Sequence, residues 1–311
     1  MSTIAVRTIP IIILGGSDGR PADLPGGASV TSLSGIKGAD ISIDGRPLVC
    51  NVEQRIRDSS SFGPIYLAGP ARVYRSICPD LELIDTNADF GTNIDCALRT
   101  VQARHPGMPV AFITCDVLPD GATLDRMAEN FRGAEPCDLW FAVVRIPEDR
   151  SQLGVSAWKP TYRLVPAKGQ PADETLGGHL AIVRPDSLRL DFLRRLFRHA
   201  YATRNHSVAY RRAVVFQKIL GSLLAEDLGR LIRLRIPGVT WSAVRAGAVA
   251  ASKLKQGTIT VAELERVLAD LLIDADHRAK HGRRVRVAVV DELSLALDID
   301  TEEEAVAWGA S

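Results

Sequence analysis

Nowhere does the chain carry about eighteen consecutive apolar residues, the run a membrane-crossing helix needs. It also lacks a basic start followed by an apolar segment of secretory length, since Ile11 to Leu14 is too short for one. A cytoplasmic, soluble protein is therefore expected. Charge of one sign is missing as well: 38 Lys+Arg against 37 Asp+Glu leave a formal net charge of +1, which excludes bulk attraction to nucleic acid or anionic lipid. The five cysteines, Cys50, Cys78, Cys96, Cys115 and Cys137, include no close pair in sequence. The spacings of zinc sites and redox motifs are thus absent, and reduced core thiols are expected. Neither the dinucleotide-binding glycine spacing nor the Walker lysine occurs, so the two commonest phosphate loops are excluded. No internal repeat is evident.

What is present is an ordinary globular composition, 46% hydrophobic and 24% charged over 311 residues, long enough for one large domain or a core with an insertion. Pro10 to Leu14 is a continuous apolar run stopped by Gly15-Gly16, the pattern of a strand covered on both faces. Similar runs follow at Ile65 to Ala68, Val110 to Ile113 and Leu139 to Val144, with helical patterns between them at 47–57, 93–104 and 123–131. This alternation predicts an α/β fold, Rossmann-like, with a mostly parallel central sheet and helices on both faces. Val155 to Val165 and Gly177 to Val183 read as further strands, and from about Pro185 the pattern becomes helical. Thr260 and Glu263 have capping-box spacing. Val285 to Val290 then reads as a strand that re-enters the sheet. The expected organisation is a core over 1–184, a helical insertion over 185–282 and a C-terminal return over 283–311.

Two acidic stretches carry the chemistry. Ile113-Thr114-Cys115-Asp116 and Leu297-Asp298-Ile299-Asp300-Thr301 each read as the end of a buried strand, where open α/β sheets gather their ligands. Leu14-Gly15-Gly16-Ser17-Asp18-Gly19-Arg20 would offer backbone N–H groups to phosphate oxygens, with Arg20 as a fixed positive charge. An oxygen-only ligand set beside such a loop suits Mg²⁺ (or Mn²⁺) carrying a nucleoside triphosphate. Lys37 is placed to meet a phosphate as a point charge. Pro21 to Gly38, rich in Gly, Pro and Ser, reads as a solvated loop or a lid. Asn93 has two readings, a helix N-cap or a hydrogen-bond donor to the nucleotide. Arg189, Arg194, Arg195, Arg198, Arg204, Arg211, Arg212, Arg230, Arg233 and Arg235 read mostly as solvated helix faces. Arg211 and Arg212 with His206 are candidates for an anionic acceptor site, or for contact with a membrane surface beside a lipid-linked phosphate. His179, His199 and His281 have no partners at metal-ligand spacing and read as structural.

In order and spacing, Ile-Ile-Ile-Leu-Gly-Gly, Lys37, Ile43-Asp44-Gly45-Arg46-Pro47-Leu48, Asp116 followed by Pro119, Gly177-Gly178-His179-Leu180 and Asp300-Thr301 resemble the molybdenum-cofactor guanylyltransferase-like NTP transferases of GT-A fold. The resemblance runs over about 10–184 and from about 285 to the end. It implies that Asp116 and Asp300 hold the metal, that Gly15, Gly16 and Lys37 bind the nucleotide phosphates, and that Gly177 and Gly178 border the acceptor. Asp298 either shares the metal or forms a turn. The sequence departs from the family at the glycine loop spacing and at Glu302, which replaces a proline. The implied activity is Mg²⁺-dependent transfer of a nucleoside monophosphate from an NTP to a phosphorylated, lipid-linked or hydroxyl acceptor, releasing pyrophosphate. Sugar transfer from a nucleotide sugar, or a nucleotide-binding module without turnover, are the alternatives.

Overall fold

Ile9 to Leu14 form strand β1, whose Ile11, Ile12 and Ile13 are fully buried. Because side chains alternate across a strand, Ile11 and Ile13 feed one core and Ile12 the other. Pro10, which has no N–H for the ladder, sits where the register with the neighbouring strand slips between Ile9 and Ile11. The computed structural model describes residues 8–16, 36–158, 161–202, 232 and 239–309.

The other strands are β2 (Ser42–Ile43), β3 (Arg46–Pro47), β4 (Phe62–Gly69), β5 (Glu82–Asp85), β6 (Val110–Thr114), β7 (Leu139–Arg145), β8 (Tyr162–Leu164), β9 (Asp173–Val183) and β10 (Val285–Val290). The main sheet has the order β10-β7-β9-β6-β1-β4-β5, with β8 added beside β9. All neighbours are parallel except those involving β9, which runs antiparallel to β6, β7 and β8. The result is the expected mixed α/β architecture with a mostly parallel sheet.

Helices cover both faces, as their apolar stripes require. Helices α2 (Leu48–Arg57), α3 (Ala71–Ile77) and α5 (Gly121–Gly133) close the face of Ile11, Ile13 and Trp140. On the face of Ile12 and Phe112 lie α4 (Phe90–Arg104), α6 (Leu190–Ala202) and α8 (Val261–Leu272). A smaller cluster joins α7 (Val239–Gln256) to Leu164, Val143 and Val287. The single turn α1 (Lys37–Asp40), the short α9 (Ala275–His281) and the terminal α10 (Glu302–Gly309) complete the described helices. The capping box on α8 is present, with Thr260 Oγ1 accepting from Glu263 N at 3.2 Å and Glu263 Oε2 accepting from Thr260 N at 3.1 Å.

Three expectations are corrected. Among the described residues of 155–165, only Tyr162–Leu164 is strand; 3-10 turns over Arg150–Trp158, kinked at Gly154 with φ 51°, take the earlier part. Arg189 is buried rather than solvated: its guanidinium donates to Leu271 O at 2.8 Å and lies 4.6 Å from the Phe192 ring centre. Among the five cysteines, Cys96 is exposed rather than in the core.

Helix α6 lies so close to α4 that a Cβ on Gly91 would stand 2.2 Å from Arg194 O and 3.0 Å from Arg198 N. Phe90 meets Phe197 edge-on at 5.7 Å, and Arg198 Nε donates to Asp89 Oδ2 at 3.1 Å. Gly91→Ala must therefore push two backbones apart. We expect a loss of about 3 kcal/mol and a Tm lower by roughly 5–8 °C; an unchanged thermal unfolding curve would contradict this packing.

Candidate functional site

Strand β1 has β4 on one side and β6 on the other, so the chain changes direction across the sheet at β1. In such sheets the crevice beyond the carboxyl ends at this point is where ligands bind. Leu14 and Thr114 are in register, and Cys115 N donates to Leu14 O at 3.3 Å. Gly15-Gly16 and Cys115-Asp116 thus leave the sheet side by side.

The second acidic stretch reaches the same place by a route other than the one expected. Strand β10 ends at Val290, and a 3-10 turn follows at Leu293–Leu295. The next segment runs antiparallel beside the residues after β6, pairing Asp298 with Val117 and donating from Ile299 N to Asp116 O at 2.8 Å. Asp298 and Asp300 are therefore delivered on a loop pinned across the mouth of the sheet, not at a strand end. Thr301 and Glu304 fix this loop to α10: Thr301 Oγ1 accepts from Glu304 N at 3.1 Å, and Glu304 Oε2 from Asp300 N at 2.5 Å.

One carboxylate oxygen from each of Asp116, Asp298 and Asp300 lies within 4.8 Å of the others. Lys37 Nζ donates to Asp116 Oδ2 at 2.8 Å and to Asp300 Oδ1 at 2.5 Å. Its backbone is placed by α1, where Ile36 N donates to Asp40 Oδ2 at 2.6 Å. A Cβ on Gly38 would stand 2.9 Å from Tyr74 Oη and 3.1 Å from Cys115 Sγ, so only glycine lets this turn sit so deep. The Asp44-Gly45 hairpin, with φ 52° and 74°, is the two-residue turn that suits the twist of β2 and β3; it leads directly into α2.

Burial alone would raise the Asp116 carboxyl, but Lys37, with His179 beside it, holds it well below the usual carboxylate range. Burial alone would lower Lys37, but Asp116 and Asp300 together lift it above its ordinary value. Both groups are accordingly charged at neutral pH. Asp116 is 9% exposed, and its Oδ1 is buried without a hydrogen-bond partner among the described residues. An orphaned carboxylate oxygen within an all-oxygen donor set fits a hard divalent cation.

His179 is the residue that sequence reasoning missed. Its Nδ1 hydrogen-bonds Thr114 Oγ1 at 2.8 Å and lies 3.7 Å from Asp116 Oδ1, too far for a hydrogen bond but near enough to act on its charge. Metal-ligand spacing along the chain gives no hint of it. The antiparallel pairing of β9 with β6, which sets Leu180 opposite Ile113, is what brings it there. The signal lay in its position directly after Gly177-Gly178 on a strand.

The remaining expected residues divide. Gly15 N–H is taken by Ala68 O at 2.9 Å, and a Cβ there would meet Tyr74 Oη at 2.8 Å; Gly15 answers to packing and has no free amide for phosphate. Gly16 faces the Asn93 side-chain amide, 3.2 Å from where its Cβ would be. Asn93 is not the N-cap of α4. That place belongs to Asp89, whose Oδ1 accepts from Thr92 N at 3.1 Å. Asn93 instead clamps Ala88, accepting from its N at 3.0 Å and donating to its O at 3.1 Å. Gly178 lets β9 approach β7, since a Cβ would stand 2.7 Å from Ala142 O, whereas Gly177 is open and exposed. Ser17 and Arg20, most of the 21–38 stretch, and His206, Arg211 and Arg212 lie outside the described residues.

No described helix is long and apolar enough to cross a membrane. No family model matches the sequence, and no curated protein matches it. Solved structures do. A hypothetical transferase from Thermus thermophilus is similar over 96% of this chain and 100% of that one, at 18% identity and a TM-score of 0.55. A CMP:2-keto-3-deoxy-manno-octonic acid synthetase complexed with CTP covers 98% of both chains at 12% identity and a TM-score of 0.48. A 4-diphosphocytidyl-2C-methyl-D-erythritol synthase from Anaerococcus prevotii matches 98% of this chain and 97% of its own at 9% identity and a TM-score of 0.45. At 18% identity the likeness to the Thermus protein is one of fold, and it extends across nearly the whole of both chains.

Proposed function

We propose that the chain is a nucleotidyltransferase of the guanylyltransferase-like type, moving a nucleoside monophosphate from an NTP to a phosphorylated or hydroxyl acceptor and releasing pyrophosphate. The observation that carries this reading is the meeting of Asp116, Asp298 and Asp300, from segments remote from each other in the chain, beside Lys37 at the switch point of the sheet. A scaffold has no use for three carboxylates gathered in a ligand crevice.

Asp116 and Asp300, with Asp298 beside them, would hold Mg²⁺. When bound, the ion supplies charge neutralisation and an orienting template for phosphate oxygens. The chain's own contribution is positional and electrostatic. Lys37, poised as a full positive charge on a short rigid turn, stabilises the negative charge that accumulates on the departing pyrophosphate. Gly16 permits close approach at the mouth of β1. His179 stands beside Asp116, and Thr114 fixes its imidazole. A phosphate acceptor is already anionic, so for it no protein nucleophile or general base is needed; a hydroxyl acceptor would give up its proton to solvent as the new P–O bond forms.

The test is a product assay with each NTP, Mg²⁺ and a panel of sugar phosphates, polyol phosphates and lipid-linked phosphates. Pyrophosphate formed in step with a nucleotidylated acceptor supports the proposal. A nucleoside diphosphate formed from a nucleotide sugar instead would assign the site to glycosyl transfer, and tight NTP binding with no product from any acceptor would leave a binding module.

A further inference from the structure

A second cluster lies away from the carboxylates. Cys50 on α2 and Cys78, the residue that caps α3, bring their sulfurs to 3.3 Å, and Glu53 stands one turn beyond Cys50 on the same helix face. One ligand atom from each of the three lies within 4.8 Å of the others. Both thiols are buried, at 8% and 3% exposure. The group opens on a cavity of about 740 Å³ that Asp44, Arg46 and Asp80 also line, and that none of Lys37, Asp116, Asp298 or Asp300 reaches.

Two buried thiols are satisfied by packing and by their mutual hydrogen bond, and Cys50 has a further contact with Ile77 O at 3.6 Å. Glu53 has no place in such a pair. Its Oε1 is held by Arg57, through Nε at 2.9 Å and Nη2 at 2.6 Å, while Oε2 has no hydrogen bond among the described residues. Burial, the Cys50 thiol and the Glu53 charge all push the Cys78 thiol up. That is the reverse of what a nucleophilic or exchange-active thiol requires. Two sulfurs and a carboxylate at this spacing are instead a donor set that a borderline-soft ion accepts.

We propose that Cys50, Cys78 and Glu53 form a site for Zn²⁺, with the fourth position open to the cavity. Binding exchanges two thiol protons for the ion and releases them to solvent. Zn–S bonds of about 2.3 Å at a tetrahedral angle hold sulfurs about 3.8 Å apart, so the pair opens by only about half an ångström. The ion ties the start of α2 to the end of α3. Those two elements hold the Lys37 turn from either side: Asp44-Gly45 leads into α2, and Tyr74 of α3 packs on Gly38. The site is thus a structural brace, independent of how the carboxylates are used.

Titrating Co²⁺ into the reduced full-length protein tests this without any nucleotide. One equivalent should give thiolate-to-cobalt charge-transfer absorption, which an all-oxygen site does not produce, and Zn²⁺ should displace it. Cys78→Ser should abolish the band, Glu53→Gln should weaken Co²⁺ binding at least tenfold, and Asp116→Asn should leave it intact. Far-ultraviolet circular dichroism checks that each variant folds. A spectrum lacking charge transfer, a band that survives Cys78→Ser, or a Cys50–Cys78 disulfide forming in air despite Zn²⁺ would each overturn the proposal.

Discussion

Asp116→Asn is expected to lower NTP-dependent pyrophosphate release roughly 10³-fold, the upper end of what removing one preorganised electrostatic group costs. The substitution keeps shape and removes charge. Asp116 is the most buried of the three carboxylates, and it is bonded to Lys37 through one oxygen while the other lies orphaned. Neutralising it leaves Lys37 balanced by Asp300 alone and takes one anionic oxygen from the cation site. Asp300→Asn should have a similar but smaller effect, about 10²-fold, because its side chain is 26% exposed and solvent replaces part of what it supplies. The double variant should be little worse than Asp116→Asn, since groups that act as a unit are not additive. Turnover within twofold of the unmodified chain in both single variants would remove the carboxylates from the chemistry.

Lys37→Met is the second large effect, and it acts on rate and fold together. Loss of a charge placed to meet the leaving pyrophosphate should lower kcat/KM about 10²- to 10³-fold. In the protein without nucleotide it also leaves clustered carboxylates without their ammonium. The cost should be about 2 kcal/mol, below the 3–5 kcal/mol of a fully buried pair, because the Lys37 side chain is 28% exposed.

The pH dependence of that cost has a definite sign. Asp116 titrates below its ordinary value when folded, so the pairing stabilises the protein fully above about pH 4 and is lost as pH falls through the depressed folded value. Lys37 titrates above its ordinary value, so its share is fully present below about pH 10 and is lost only as pH rises through the raised value. The difference in Tm between the unmodified chain and Lys37→Met should therefore be broad across neutral pH and narrow toward pH 3, as the unpaired carboxyls protonate. Mg²⁺ should raise the Tm of the variant more than that of the unmodified chain, since no ammonium then competes for the carboxylates. Equal Tm values from pH 4 to 9, with kcat/KM unchanged, would contradict both roles.

Much of this was legible in the sequence. Alternating apolar runs and helical patterns located β1, β4, β6, β7 and β10 with the helices between them, because fully buried parallel strands leave continuous apolar runs. Strand direction left no such mark. β9 reads like its parallel neighbours, yet it runs antiparallel between β6 and β7, and that reversal brings His179 to Thr114 and Asp116. The alternation through Leu295-Ala-Leu-Asp-Ile-Asp mimics a strand because the segment does pair, but only through a single bridge from Asp298 to Val117. Asn93 drew attention as a cap because it precedes an apolar helical face. The helix begins a turn earlier, where Asp89 and Thr92 have the capping geometry. Cys50 and Cys78 gave no sign of meeting, since 28 residues of chain separate them and only the packing of α2 against the end of α3 joins them.

The central claim is that Asp116, Asp298 and Asp300 share one divalent cation beside Lys37. A crystal structure of the full-length protein with Mn²⁺ and a non-hydrolysable NTP analogue tests it most directly, because Mn²⁺ is located by its anomalous scattering. The account predicts a peak within about 2.0–2.3 Å of carboxylate oxygens of Asp116 and Asp300, the triphosphate at the carboxyl end of β1, and Lys37 Nζ moved from the carboxylates onto phosphate. A triphosphate bound elsewhere, or Lys37 still bridging Asp116 and Asp300 with no cation between them, would contradict it.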